Sequence, residues 1–347
     1  MSPAVRRPLR VPAPPVTLYG MGKRDSSIDA VRVLGIVAIV FGHIIATDPV
    51  RMALYTWHVP VFFFLSGWLW SPGRSVTEEV RRRSLTLLRP YVFWLAVLLA
   101  AVTVRGTLDG TLSWQAILTP VYGGAVAGRP FSTFWFVFVL FASAVLWRLL
   151  ERVPLAVRVA VIVAGVAAAV FLGPELARTP LAVGSALPAL AFLGAGQMAR
   201  SYRNSGVAAA VLAAAGILIV LRWSAPLDIK QGDWGTPVVS MIVAAAISWA
   251  LVVLADPIVS RLPERVGAGF TSFALVGFTV VLAHPAVLWL VSGWGLPRPA
   301  VFLLAVGVPA LVGAAALRTP LSGWVTGVSA RRRTRSPDTP DAQKALG

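Results

Sequence analysis

Apolar runs close to the length of a membrane crossing recur along the chain, separated by short polar or basic stretches. A helix rises 1.5 Å per residue and the hydrocarbon layer is about 30 Å thick, so roughly 20 apolar residues make one crossing. On that ruler the pattern predicts ten helical spans, over residues 28–46, 52–70, 87–104, 134–150, 155–172, 181–199, 206–222, 236–255, 270–292 and 299–317. The predicted fold is all-α, a polytopic membrane protein with about ten transmembrane helices. Three regions follow. Residues 1–27 form a Pro- and Arg-rich arm expected to be disordered, 28–318 form the transmembrane domain, and 319–347 form a basic tail also expected to be disordered. No small-residue cleavage site follows the first span, which reads as a retained helix.

Charge adds a direction. The net charge is +17, from 31 basic and 14 acidic residues. With the N-terminus in the cytoplasm, 23 basic residues fall in the arm, the inner loops and the tail. Seven fall in outer loops, and Arg32 lies within the first span. That asymmetry predicts a multi-pass protein of the cell membrane with both termini cytoplasmic. Basic residues scattered among loops, rather than gathered on one soluble face, argue against a nucleic-acid partner. The absence of cysteine excludes disulfides, thiol nucleophiles and Cys-based metal sites. Two outer segments exceed a simple turn. Residues 105–133 contain Leu112–Leu118, a candidate interfacial helix with Trp114 at the headgroups. Residues 223–235 carry Asp228, Lys230, Asp233 and Trp234. Both read equally as solvated connectors or as parts that receive substrate.

The chemistry concentrates on Arg32 and His43. Eleven helical steps leave them about 20° apart in rotation and about 16 Å apart along one face. Ionisable side chains inside a membrane are costly, so the pair is a candidate functional site. The three histidines, His43, His58 and His284, all fall within predicted spans. They lie at about 5, 9 and 12 Å below the outer ends. Convergence on one polar cavity is one reading, and separate hydrogen bonds to neighbouring helices is the other. A metal site is disfavoured, because no pair has helical ligand spacing and no carboxylate lies at their depth. Histidine can take a proton from an alcohol attacking a carbonyl and return it to the leaving group, or accept an acyl group itself. Arg32 calls for an anion. Asp29, one turn earlier, would make a structural pair. A cytoplasmic phosphate would make a binding site, and the spacing to His43 suits a ligand shaped like an acyl-coenzyme A.

These residues resemble the acyltransferase-3 superfamily of integral membrane acyltransferases. Asp29, Arg32 and His43 match its first-helix pattern. Trp57-His58-Val59-Pro60-Val61-Phe62-Phe63-Phe64-Leu65-Ser66-Gly67 is similar to the signature of its fucose 4-O-acetylase-like subgroup. Leu87-Leu88-Arg89-Pro90-Tyr91, Trp135-Phe136 and His284-Pro285 resemble further family motifs, so the resemblance runs from about residue 24 to 318. The triple Arg81-Arg82-Arg83 departs from the pattern and leaves open which arginine matches, or whether the loop is only a solvated basic stretch. The resemblance implies transfer of an acyl group, often acetyl, from cytoplasmic acyl-coenzyme A to a hydroxyl of a carbohydrate-like acceptor. It implies no tightly bound cofactor.

The expected mechanism assigns His43 as general base or transient acyl carrier. His58 orients it or polarises the carbonyl, and Asp29 fixes Arg32. Arg32, with Arg82, Arg83 or Arg89, holds the coenzyme A phosphates. Phe62–Phe64, Ser66 and Gly67 line the passage for the pantetheine arm, and His284 and Trp135 belong to the acceptor cavity. The alternative is a proton-coupled transporter or exporter of a sugar or lipid conjugate, which intramembrane His, Arg and Asp would also suit. Release of coenzyme A separates the two.

Overall fold

The computed structural model describes residues 25–329. Positions 1–24 of the arm and 330–347 of the tail, where disorder was expected, lie outside the described residues, while Asp25, Ser26 and Ser27 of the expected arm cap and begin α1. The fold is all-α. Its helices are α1 (Ser26–Ile44), α2 (Asp48–Tyr55), α3 (Pro60–Trp68), α4 (Val76–Arg83), α5 (Arg89–Leu108), α6 (Trp114–Tyr122) and α7 (Phe134–Leu150). They continue as α8 (Leu155–Arg178), α9 (Ala186–Ala199), α10 (Ser205–Val220), α11 (Val239–Val259), α12 (Glu264–Leu290), α13 (Arg298–Ala316) and α14 (Ser322–Val325).

The expectation of ten spans is corrected to seven segments long and apolar enough to cross a membrane, among the described residues. These are α1, the continuous stretch Val76–Leu108, α8, Pro180–Ala199, α11, α12 and α13. The protein is therefore a multi-pass membrane protein with fewer full crossings than the apolar runs suggested. With seven, the charge asymmetry no longer carries the even number that placed both ends in the cytoplasm. Three expected spans account for the difference. The run 52–70 is broken at residues 56–59 into α2 and α3, because Pro60 has no N–H to give and its ring clashes with the preceding turn. The nine residues of α3 reach only about 13 Å. α7 and α10 hold 17 and 16 residues, short of a crossing. Apolar content measured the solvent each run prefers; it did not measure helix continuity.

Helix α1 starts where Asp25 accepts from the N–H groups of Ser27 and Ile28, with Asp29 in the first turn favouring the positive end of the helix dipole. α1 and α12 run parallel. Gly267 lies against Ser26 near one end, Gly277 against Ile36 in the middle, and His284 against His43 at the other end. α3 packs antiparallel on α9 at backbone contact. A Cβ on Gly67 would sit 1.9 Å from the Leu193 carbonyl oxygen, and one on Gly196 would sit 2.1 Å from that of Phe64. Small residues let membrane helices approach this closely. Where an interfacial helix over Leu112–Leu118 was one reading, α6 begins at Trp114, which is 79% exposed, and runs on to Tyr122. The ordered chain also runs past the boundary expected at 318. Trp94 Nε1 and Thr279 Oγ1 both donate to the Val325 carbonyl, at 3.0 and 3.1 Å, which docks α14 against α5 and α12.

One buried ionic cluster organises the basic end. Arg148 of α7 is 1% exposed. Its Nη2 donates to Glu79 Oε2 at 3.0 Å and to the Ser71 carbonyl at 2.9 Å, and its Nη1 pairs with Glu151. The guanidinium lies 4.1 Å over the Trp70 ring, whose Nε1 donates to Glu151 Oε1 at 2.6 Å. Glu79 also accepts from Arg83 Nε at 2.8 Å. The loop from Trp70 to α4 is thus tied to α7 through one guanidinium.

Two outcomes test this packing. Gly67→Val forces α3 off α9 and is expected to cost about 1–3 kcal/mol, read as a lower melting temperature in detergent. Arg148→Met leaves Glu79 buried without that partner and is expected to cost about 3–5 kcal/mol by the same measurement. A melting temperature unchanged in Arg148→Met would show that the cluster does not hold the loop.

Candidate active site

Parallel packing of α1 and α12 brings two of the three histidines into contact across 241 positions of sequence. His43 Nδ1 and His284 Nε2 are 2.8 Å apart, with ring centroids 5.0 Å apart and planes 27° from parallel. His58, within the α2–α3 break, lines the same cavity as His43, a space of about 180 Å³. Trp135 lines it too, while His284 stands fully buried behind His43 rather than in the cavity wall.

The hydrogen bonds fix where the protons sit in neutral rings. His284 Nδ1 lies 2.9 Å from the Val280 carbonyl of its own helix. A carbonyl oxygen only accepts, so this nitrogen carries the proton and Nε2 keeps its lone pair. That lone pair accepts from His43 Nδ1–H, which leaves His43 Nε2 unprotonated. His58 Nδ1 likewise lies 2.7 Å from the Leu54 carbonyl, leaving its own Nε2 unprotonated. At the end of α1, Arg129 donates to the His43 carbonyl at 2.7 Å, a cation on the negative end of the helix.

The His284-Pro285 pair has a second consequence. Pro285 has no N–H for the Val281 carbonyl one turn earlier. Thr133 Oγ1 donates to that carbonyl instead, at 2.8 Å. Thr133 is the residue before α7, so this bond holds the start of α7 and its Trp135 at the cavity.

The outer wall comes from residues 227–231. Asp228, Lys230 and Gln231 face the histidines. Arg51 lies 4.7 Å over the Tyr55 ring and pairs with Asp228 at 3.5 Å, and Tyr55 packs against the His58 ring at 4.7 Å. Burial holds the Lys230 ammonium below its ordinary pKa, against the opposing pull of Asp228.

At the other end of α1 a second cavity, of about 250 Å³, gathers Arg32, Arg74, Arg82, Arg83 and Ser66. Arg32 Nη1 pairs with buried Asp29 at 2.6 Å, and Arg83 Nη2 donates to Ser66 Oγ at 2.9 Å. Four expected residues are elsewhere. Arg89 donates to the Gly323 carbonyl at 2.9 Å and holds the segment after α13. Gly67 packs on α9, and Phe63 and Phe64 are buried in the core. Phe62 does line the basic cavity and Phe136 lines the histidine cavity, with their rings edge to face at 5.6 Å. The two cavities share no lining residue, and this aromatic pair stands between them.

Sequence reasoning missed Arg129, Arg148, Thr133 and Tyr55. The readable signal was small: Tyr55 lies one turn before His58, and Pro285 announces a carbonyl in need of a donor. No group of three or more His, Cys, Asp or Glu able to hold a metal occurs among the described residues.

Nodulation protein NolL of Mesorhizobium japonicum (strain LMG 29417 / CECT 9101 / MAFF 303099) is 29% identical over 149 residues. That stretch is 38% of this chain and 37% of the relative's length. Nodulation protein NolL of Sinorhizobium fredii (strain NBRC 101917 / NGR234) matches with the same identity and the same coverage. The similarity thus spans little more than a third of these relatives. No solved structure matches the chain. The family model described as an acyltransferase domain matches residues 25–319, almost the whole described bundle, and the chain belongs to the acyltransferase-3 family.

Proposed function

We propose that this protein is a membrane O-acyltransferase. It takes an acyl group from acyl-coenzyme A held at the basic end and moves it to a hydroxyl of a carbohydrate-like acceptor in the histidine cavity. The observation that carries the reading is the chain Val280 carbonyl, His284, His43, because it leaves His43 Nε2 as a proton acceptor at the cavity. The acceptor hydroxyl gives its proton to that nitrogen as its oxygen attacks the thioester carbonyl. The carbon–sulfur bond then breaks, and His43 returns the proton to the coenzyme A sulfur. His284 positions His43 and holds its tautomer, a part the sequence had suggested for His58. His58 offers a second unprotonated Nε2 to the same space.

At the basic end, the guanidinium groups of Arg32, Arg82 and Arg83 suit the phosphates of coenzyme A. Asp29 fixes Arg32 and Glu79 fixes Arg83, so both guanidinium groups are held in place at the cavity. The excess of basic loops at this end favours a cytoplasmic donor side. An extended pantetheine arm would reach the histidine cavity past Phe62 and Phe136. The carbohydrate-like acceptor rests on family resemblance.

His43→Ala is expected to lower the rate of coenzyme A release by about 10²-fold or more, with the protein still inserted in the membrane. His284→Phe should lower kcat by a similar factor and leave the KM for acyl-coenzyme A unchanged. His284→Gln, whose amide oxygen can accept from His43 Nδ1–H, should recover part of it. Near-native turnover in His43→Ala sinks the catalytic assignment. Arg32→Ala should raise the KM for acyl-coenzyme A roughly tenfold and leave that for the acceptor alone, and an equal rise in both counts against a phosphate role.

A further inference from the structure

The histidine cavity contains one cation with no anionic partner of its own. Lys230 lines the cavity beside His43 and is half-buried, and it makes no hydrogen bond or ion pair with any described residue. The other charges at this end are in use. Arg129 donates to the His43 carbonyl. Arg51 is held between the Tyr55 ring and the Asp228 carboxylate. Asp228 is the single carboxylate in the cavity wall and faces two cations, Lys230 and the Arg51 it pairs with, so positive charge is in surplus there.

The turn that carries Lys230 is rigid. Ile229–Gln231 form one 3-10 turn, closed by the Asp233 N–H on the Asp228 carbonyl at 3.0 Å. Gly232 follows with φ of 75°, its backbone so close to Gly173 that a Cβ would sit 2.1 Å from the Gly173 carbonyl oxygen. Trp234 then stacks on Phe192 at 6.4 Å. A solvated surface lysine would not need such an anchor. Half-burying an ammonium costs free energy unless an opposite charge compensates, and an anion entering this cavity would do so while its hydroxyls lie near His43.

We infer that Lys230 forms, with Asp228 and Gln231, an acceptor subsite that takes a polyhydroxylated ring bearing one anionic group, a carboxylate or a phosphate. Lys230 pairs with that group, Asp228 and Gln231 bond the ring hydroxyls, and Trp135 and Tyr55 cover its apolar edges. The inference rests on the acyltransferase reading of the cavity and adds the charge of the acceptor to it.

The test is a binding measurement that needs no turnover. Saturation-transfer NMR titrations use the full chain in detergent with free coenzyme A present, which carries no acyl group to transfer, and three probes: methyl β-D-glucuronide, D-glucose 1-phosphate and methyl β-D-glucoside. At least one charged probe is expected to bind roughly tenfold more tightly than the neutral one. Lys230→Met should erase that difference and Lys230→Arg should keep it. A preference for either charged probe supports the subsite and says whether carboxylate or phosphate is read. Equal binding of charged and neutral probes, no binding of either charged probe, or a preference that survives in Lys230→Met overturns it. Coenzyme A release from His43→Ala judges the acyltransferase reading separately, so the two can fail independently.

Discussion

The Arg148–Glu79 contact is the centre of the bonds that tie the loop after α3 and helix α4 to α7. It is a fully buried guanidinium paired with a fully buried carboxylate, and such a pair is worth little until one member is lost. Its structural effect is large because each partner has further bonds. Glu79 holds Arg83, and Arg83 holds Ser66 on α3. Arg148 holds Ser71, Glu151 and the face of Trp70, and Arg200 donates to the Trp70 carbonyl from the end of α9. The arginines of the basic cavity therefore stand on a frame already neutralised beneath them. Without it, several like charges within one loop would repel each other out of the cavity.

The opposite end is built by a different constraint, the obligation of backbone groups in a membrane to find partners. Pro285 and Pro60 each leave a carbonyl without its helical donor. Both interruptions fall beside a histidine. At Pro285 the free carbonyl becomes the anchor for Thr133 and the start of α7. At Pro60 the chain turns between α2 and α3, which sets Tyr55 and His58 on the cavity wall. His58 and His284 each use Nδ1 on a carbonyl of the preceding turn, so the backbone sets the tautomer of both rings.

What could be read in advance follows from the range of the interactions involved. Asp29 and Arg32 are one turn apart, and their pairing is a property of any helix with that spacing. Arg82 and Arg83 are neighbours in sequence and do share a cavity, which Arg32 joins from α1. The partner of His43 was hidden, because it lies on α12 and only the parallel packing of α1 on α12 brings it close. Arg89 looked like its neighbours in sequence, but it sits beyond the π-turn Ser84–Leu88, which rotates it toward the residues after α13. Arg148 looked like one more basic loop residue, although its burial makes it a structural centre. The count of crossings failed for a related reason. Apolar runs of 16 or 17 residues, or runs interrupted by proline, suit a protein interior as well as lipid.

The edge-to-face contact of Phe62 and Phe136 has an electrical meaning. Two water-accessible cavities that open toward opposite faces of a bilayer would, if joined, let protons and small ions run down their gradients. Here the ring pair stands between the histidine cavity and the basic cavity and closes such a route. A thin flexible donor arm that displaces the rings would fill the gap it makes. On the proposed donor route, the same two side chains would admit the arm and close the way again once it leaves.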